Sequence, residues 1–513
     1  MAFTARRTFS SRSKWLTLLA VCLGLMMLMI DTFVVNIAFP AIGRGLRASL
    51  SEAEWTVSGY VLVMGVLPIA MGRLGDLYGR RRLYLLGLVL FIGSSIACGL
   101  SQSIGELILF RVTQGAGAAI MTPLTLSIVT HAFPAAQRGL AIGIWGGVSG
   151  LGLIAGPILG GLLVRGDNWR WIFFINVPVG LLALALALLF VPESRDEGAE
   201  RGVDWAGLAL LSSALFLIVY GLTRANDLGW GSPVILGSLV GGAVLLPAFV
   251  TLEWRIRRPL IDLTLFRSGT FVMACLAAFL FNAAVFGSQP YSSLLLQNTW
   301  GFSPLEAGFA FVPATALVAL ITPFSGILGQ RLGGRLRLVM MTGSLLVVVS
   351  ALYMLRLDLH SGYADTFLPA FVIRGAGIGL FIAATSLAVM SAVPVAKSGL
   401  ASGTLTMARQ IGTSLGVALL GGVYLHHVDG ALGGTSPGAT RQQAAALRGA
   451  AQQAIIDGFV GISLVMALLG MAAALAALFI RHRPATDVAI QPSVATAAPG
   501  AVAAQPLPAA VLD

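Results

Sequence analysis

An α-helix needs about twenty apolar residues to cross a bilayer, and this chain offers such a run fourteen times. The runs cover roughly 15–38, 54–74, 83–101, 105–131, 139–163, 171–191, 204–223, 234–254, 269–296, 304–330, 338–357, 366–391, 399–425 and 458–480. Only 10% of the 513 residues are charged and 57% are hydrophobic, against about 25% charged in ordinary soluble domains. The pattern predicts an all-α polytopic membrane protein. The first run follows Arg6, Arg7, Arg12 and Lys14. It is longer than a signal-peptide core and lacks a small-residue cleavage site, so it reads as a retained span.

A net charge of +11 in a soluble domain points to nucleic acid. Here the basic residues sit in short loops between apolar runs, where they set orientation instead. With the N-terminus inside, cytoplasmic segments hold twenty-one of the thirty-two Lys and Arg and outer segments hold eight. That bias predicts both termini in the cytoplasm. Cys22, Cys98 and Cys275 all lie in apolar runs, which leaves no disulfide framework and no metal-ligand spacing. Thirty arginines beside two lysines, with abundant Ala and Gly, fit a GC-rich bacterial genome and hence a bacterial cytoplasmic membrane. Residues 484–513 are Ala- and Pro-rich without periodicity and read as a disordered cytoplasmic tail. Residues 426–457 read as a polar outer loop with a short helix around Arg441–Ile455.

The chain repeats itself. VTQGAGAAI at 112–120 matches VIRGAGIGL at 372–380, an offset of 260. Gly139, Gly152 and Gly156 match Gly399, Gly412 and Gly416 at the same offset. Gly72, Gly75 and Gly79 match Gly326, Gly329 and Gly333 at an offset of 254. Duplicated halves are the mark of a secondary transporter with its site between them. The repeat predicts a six-helix bundle over 1–192, a linker with two extra spans over 193–256, and a second six-helix bundle over 257–483.

Four stretches carry chemistry. Gly139–Gly161 holds nine glycines and Pro157 in one apolar run. Gly152, Gly156 and Gly160 share a face and admit close helix contact. With Pro157 and Gly161 they read as either tight packing or a hinge. GRLGDLYGRRR at 72–82 places Asp76 where it can pair with Arg80 or meet a helix N-terminus. Span 1 holds Asp31, Asn36 and Pro40, and span 4 holds Arg111, Gln114, Gly115 and Gly117. A charge inside a span marks function by default. At about 1.5 Å per residue, Asp31 and Arg111 both fall in the outer half of the membrane, so an ion pair is feasible. Such a pair either fixes packing or binds a proton, since a buried carboxyl responds to the closeness of a cation.

These stretches, with NWRWIFFINVPVG at 168–180, resemble in order the motifs of the major facilitator superfamily. The similarity covers about 15–480 and is greatest to its fourteen-helix drug–proton antiporter branch. The resemblance implies two pseudo-symmetric six-helix bundles plus two central helices. It assigns proton coupling to Asp31 and Arg111. It assigns an inner latch to Gly72, Gly75, Asp76, Gly79 and Arg80, and a packed gate to Gly152, Gly156, Pro157, Gly160 and Gly161. Asn36, Gln114, Asn282, Gln289, Arg374, Arg409 and Gln410 are candidates to line a cavity, although Arg409 also fits a helix-packing role. Some relatives use an extra membrane carboxylate in the second half for cationic drugs. None stands deep in this chain's later spans, which argues against dicationic substrates.

The expected activity is proton-driven export of small amphipathic organic compounds by a monomer in the lipid bilayer. No enzymatic site, cofactor, metal or nucleic-acid partner is expected. GxxxxGK[ST] and HExxH are absent from the sequence, and no nucleophile elbow is expected. Export of one dedicated metabolite, such as the host's own antibiotic or a siderophore, is the nearest alternative. A non-transporting receptor on the same scaffold is a more distant one.

Overall fold

The computed structural model describes residues 11–480 except 49, 164–167, 199–203, 257–260, 333–334 and 433–440. The expected tail at 484–513 lies outside the described residues. Regular structure among the described residues is entirely helical. The N-terminal half contains α1 (Ser11–Leu46), α2 (Leu50–Val66), α3 (Pro68–Tyr78), α4 (Arg80–Leu100), α5 (Ile104–Ala132), α6 (Ala135–Leu163), α7 (Trp171–Phe174) and α8 (Asn176–Phe190). Then come α9 (Trp205–Leu228) and α10 (Pro233–Arg255). The C-terminal half contains α11 (Gly269–Val285), α12 (Gln289–Trp300), α13 (Pro304–Ala310), α14 (Val312–Arg331), α15 (Leu336–Tyr353), α16 (Leu368–Ser391), α17 (Ser398–Leu432) and α18 (Arg441–Leu478).

Among the described residues, eleven helical stretches are long and apolar enough to cross a membrane, or twelve with α2 and α3 as one bent span. The glycine-rich α6 and α17 are not among them. Length and composition therefore establish eleven or twelve of the fourteen expected spans.

Prolines mark the bends. Pro68 lacks an N–H to continue the ladder of α2, and α3 leaves at 51°. Pro290 and Pro313 begin α12 and α14 after similar interruptions. Ser303 and Glu306 close a reciprocal capping box on α13. The helix expected around Arg441–Ile455 is no separate element; it is the first part of α18. Its alanines and glutamines favour helix and no proline stops it.

α5 lies at the centre of its half and α10 at the periphery. The apolar window of α5 is 78% buried and that of α10 only 22%. Val234, Leu236, Val240 and Val244 accordingly face outward from α10. α9 packs on α10 and touches both α2 and α17. Its Tyr220 stacks on Trp55, and Asn226 donates to Val417 O at 3.4 Å.

Candidate functional site

Asp31 and Arg111 meet. Arg111 Nη1 lies 2.6 Å from Asp31 Oδ2, with both side chains at most 1% exposed. The other carboxylate oxygen, Oδ1, accepts from Gln114 Nε2 at 3.0 Å and Asn176 Nδ2 at 2.9 Å. Ser95 Oγ accepts from the same two amides and donates to Phe173 O. Arg111 Nη1 also donates to Gln114 Oε1 and Nε donates to Thr56 O. Its guanidinium lies over the Tyr60 ring, 4.3 Å from the centroid. The charge is thus held by neutral groups from α2, α4, α5 and α8. A buried ion pair persists only when its remaining hydrogen-bonding capacity is filled in this way.

Backbone packing makes the network possible. A Cβ on Gly115 would lie 2.9 Å from Tyr60 O, and one on Gly117 would lie 2.9 Å from Phe91 N. The two glycines therefore draw α2 and α4 against α5. Asn176 reaches Asp31 because α8 begins at it after the break from α7. Asn176 and Ser95 were not among the residues expected from sequence. Both are neutral and carry no charge signal of their own; only the NWRWIFFINVPVG stretch, which contains Asn176, could have pointed to one of them.

The 72–82 stretch joins the halves. Asp76 Oδ1 accepts from Arg80 Nε at 2.9 Å and Nη2 at 2.7 Å, and from Gly399 N at 2.9 Å. Oδ2 accepts from Leu400 N at 2.8 Å. A carboxylate on the first N–H groups of α17 satisfies donors the helix cannot, and suits its dipole. Arg80 Nη2 donates onward to Val395 O and Ala396 O. Both responses expected of Asp76, pairing with an arginine and meeting a helix N-terminus, occur together. Gly79 has φ +119°, which a side chain rarely adopts, and a Cβ there would strike the Glu193 carboxylate. Glu193, from the segment after α8, accepts from Arg81 N and Arg82 N at the start of α4. It too went unanticipated, because nothing in VPESR ties it to residues over a hundred positions earlier.

The repeated glycines meet each other. A Cβ on Gly72 would overlap Gly399 O, and one on Gly326 would overlap Gly139 O. Gly75 makes its close approach to Leu124 of α5. Gly143, Gly147 and Gly150 of α6 continue the contact with Pro323 and Ala319 of α14, while Gly152 turns to Met29 of α1. Gly156 and Gly160 are buried. The side chains of Asn36 and Pro157 and the burial of Gly161 lie outside what the structure describes.

The other polar candidates are scattered. Gln114 belongs to the Asp31 network. Asn282 is buried and donates to Ala278 O on its own helix. Arg374 is buried; Nη1 donates to Ser288 Oγ at 3.2 Å and the guanidinium lies 3.6 Å from the Phe371 ring centroid. Gln289, Arg409 and Gln410 are half-buried. Gln410 sits beside Gly65 of α2.

Helices long and apolar enough to cross a membrane, with a buried ionic network among them, describe a multi-pass membrane protein. The chain belongs to the Major Facilitator Superfamily, whose sequence profile matches residues 21–417. It is 40% identical over 412 residues to the tetracenomycin C resistance and export protein of Streptomyces glaucescens, covering 79% of this chain and 75% of that protein. It is 38% identical to the multidrug resistance protein Stp of Mycobacterium tuberculosis, covering 80% and 76% respectively. The human organic anion transporter MFSD10 shares the fold, with a TM-score of 0.61 at 18% identity over 89% of this chain and 99% of that one.

Proposed function

We propose that the protein is a proton-coupled antiporter that exports small amphipathic organic compounds from a bacterial cell. The observation that carries this reading is the Asp31–Arg111 network: a carboxylate buried at membrane depth and held by three polar neighbours. Ionised, Asp31 accepts from Arg111, Gln114 and Asn176 at once. Protonated, it no longer balances Arg111, and the guanidinium must find another partner. α1, α2, α4, α5 and α8 all feel that change. The seam between the halves is the element it biases, in the way alternating access requires.

The reading places fourteen spans in the cytoplasmic membrane with both termini inside. Its bundles cover 1–192 and 257–483, with the extra pair in 193–256, and one monomer suffices. Asp76 and Arg80 latch the cytoplasmic end by holding the start of α17. The glycine contacts of α6 with α14, and Gly152–Gly161 beyond them, form the packed gate. Relatives named for multidrug resistance and for export of tetracenomycin C support efflux. The second of these names also supports a pump dedicated to one antibiotic, which an efflux panel of chemically diverse antibiotics and dyes would distinguish by a single responder.

The test is Asp31→Asn in inverted membrane vesicles. Substrate uptake driven by an imposed proton gradient should be lost, while substrate exchange without a gradient should persist. Retained gradient-driven uptake would remove Asp31 from the coupling mechanism.

A further inference from the structure

α16 and α17 carry one guanidinium each, Arg374 and Arg409, that the Asp31 network does not use. Arg409 is on α17, about 15 Å from Gly399 at 1.5 Å per residue, and therefore near mid-membrane. Its Nη2 donates to Ser386 Oγ at 2.9 Å and to Ile382 O at 3.4 Å, both neutral acceptors on α16. Ile382 packs against Gly146 of α6, and the next residue, Gln410, packs against Gly65 of α2. Arg409 is thus at the seam between the halves, half-buried rather than sealed. Among the described residues no carboxylate lies within ion-pair distance of it or of Arg374.

A guanidinium has five N–H donors in a planar fork, and here one nitrogen supplies both hydrogen bonds. A charge at membrane depth is costly without a partner. Arg374, occupied by Ser288, Met466 Sδ and the Phe371 face, adds a second positive charge to the same half without reaching the seam. Ile382, the α16 residue whose carbonyl Arg409 meets, is itself partly buried and apolar. A fork of donors beside apolar surface suits a carboxylate or acidic phenol attached to an apolar body.

We propose that Arg409 anchors the acidic group of an amphipathic organic anion between the two halves. The proposal deepens the exporter reading and rests on it for the location of substrate. It has its own readout, because binding is measured at equilibrium with no proton gradient. Loss of coupling in the Asp31→Asn variant would leave it intact, and its failure would leave coupling intact.

The probes are pyrenebutyrate and its neutral analogue pyrenebutanol, titrated by fluorescence into the purified full chain in nanodiscs. Wild type should bind the acid more tightly than the alcohol. Arg409→Gln should weaken the acid about tenfold, or about 1.4 kcal/mol, and leave the alcohol within about twofold. Arg409→Lys keeps the charge and should retain most of the preference. Equal weakening of both probes would make Arg409 a packing residue and overturn the proposal. So would unchanged binding of the acid by Arg409→Gln. Displacement of pyrenebutyrate from wild type by chloride, but not by gluconate, would assign the site to an inorganic anion and overturn the organic class.

Discussion

The two halves repeat their glycines and not their charges. Gly115 packs on Tyr60, and Gly375, 260 positions later, packs on Ala314, itself 254 positions after Tyr60. Gly117 and Gly377 likewise admit α4 and α15. The polar positions diverge at each point. Arg111 is answered by Phe371, Gln114 by Arg374 and Ser149 by Arg409. Where the N-terminal half builds an ion pair, the C-terminal half builds an aromatic cluster of Phe311, Phe367 and Phe371, with Phe367 and Phe371 stacked at 3.8 Å. Backbone approach is therefore the conserved scaffold within the molecule, and charge is the part each half has specialised.

The sharpest way to break that comparison is to remove one arginine from each half. Arg111→Ala leaves Asp31 buried without its cationic partner, which costs about 3–5 kcal/mol. Arg374→Ala strands no opposite charge; its loss of the contact with Phe371 should cost about 1–2 kcal/mol. Apparent unfolding temperatures in detergent should therefore fall much further for the first variant, and Asp31→Asn combined with Arg111→Gln should recover part of the difference. Equal losses would mean that Arg374 has an anionic partner and that the halves are electrostatically alike.

The seam offers a test in the opposite sense, because there the halves should behave identically. Gly72→Ala and Gly326→Ala each force a methyl into a carbonyl across the interface, an overpacking worth about 1–3 kcal/mol. Either should push the two ends apart. Labels placed on cysteines introduced at the exposed Ala136 and Arg331 report the separation by spin–spin distance, since the native Cys22, Cys98 and Cys275 are all buried. Both substitutions should lengthen it. Opening by only one would show that the pseudo-symmetry of the glycines is not mechanical.

These pairs also show what was legible beforehand. Hydropathy located the helices, since each apolar run falls on one helix or on two separated by a break. The repeat identified Gly72, Gly139, Gly326 and Gly399, yet a linear offset does not reveal that copies cross, with Gly72 meeting Gly399 and Gly139 meeting Gly326. Asp31 and Arg111 were legible because charge in a span is rare. Ser95, Asn176 and Glu193 were not, because neutral residues in spans and charged residues in loops are both ordinary. Their importance lies wholly in what the fold places beside them. The length of α18 was missed for a related reason: polarity at 441–455 ruled out membrane, not helix.

The smallest predicted effect concerns the start of α17, which both halves hold. From the N-terminal side Asp76 caps Gly399 N and Leu400 N. Gln330 stands at the corresponding place in the repeat, 254 positions on, and the C-terminal side uses Asp262 instead, paired with Lys397. Burial pushes the Asp262 carboxyl up, but hydrogen bonds from Lys397 and Thr264 outweigh it and hold it below the usual carboxylate range. A carboxylate depressed by folding stabilises above its unfolded pKa, about 3.9, and loses that contribution only as pH falls through the lower folded value. Asp262→Asn should therefore cost the same at about pH 5 and about pH 8, with the difference from wild type closing only below about pH 4. Because the pair is partly exposed, the cost should be about 1 kcal/mol or less. Asp76→Asn should exceed it, since Asp76 is fully buried and meets charged and backbone donors together. Chemical denaturation of both variants across that pH range decides the point. If Asp262→Asn matched Asp76→Asn, the grip on α17 would be shared equally, and the N-terminal half would lose its claim to the latch.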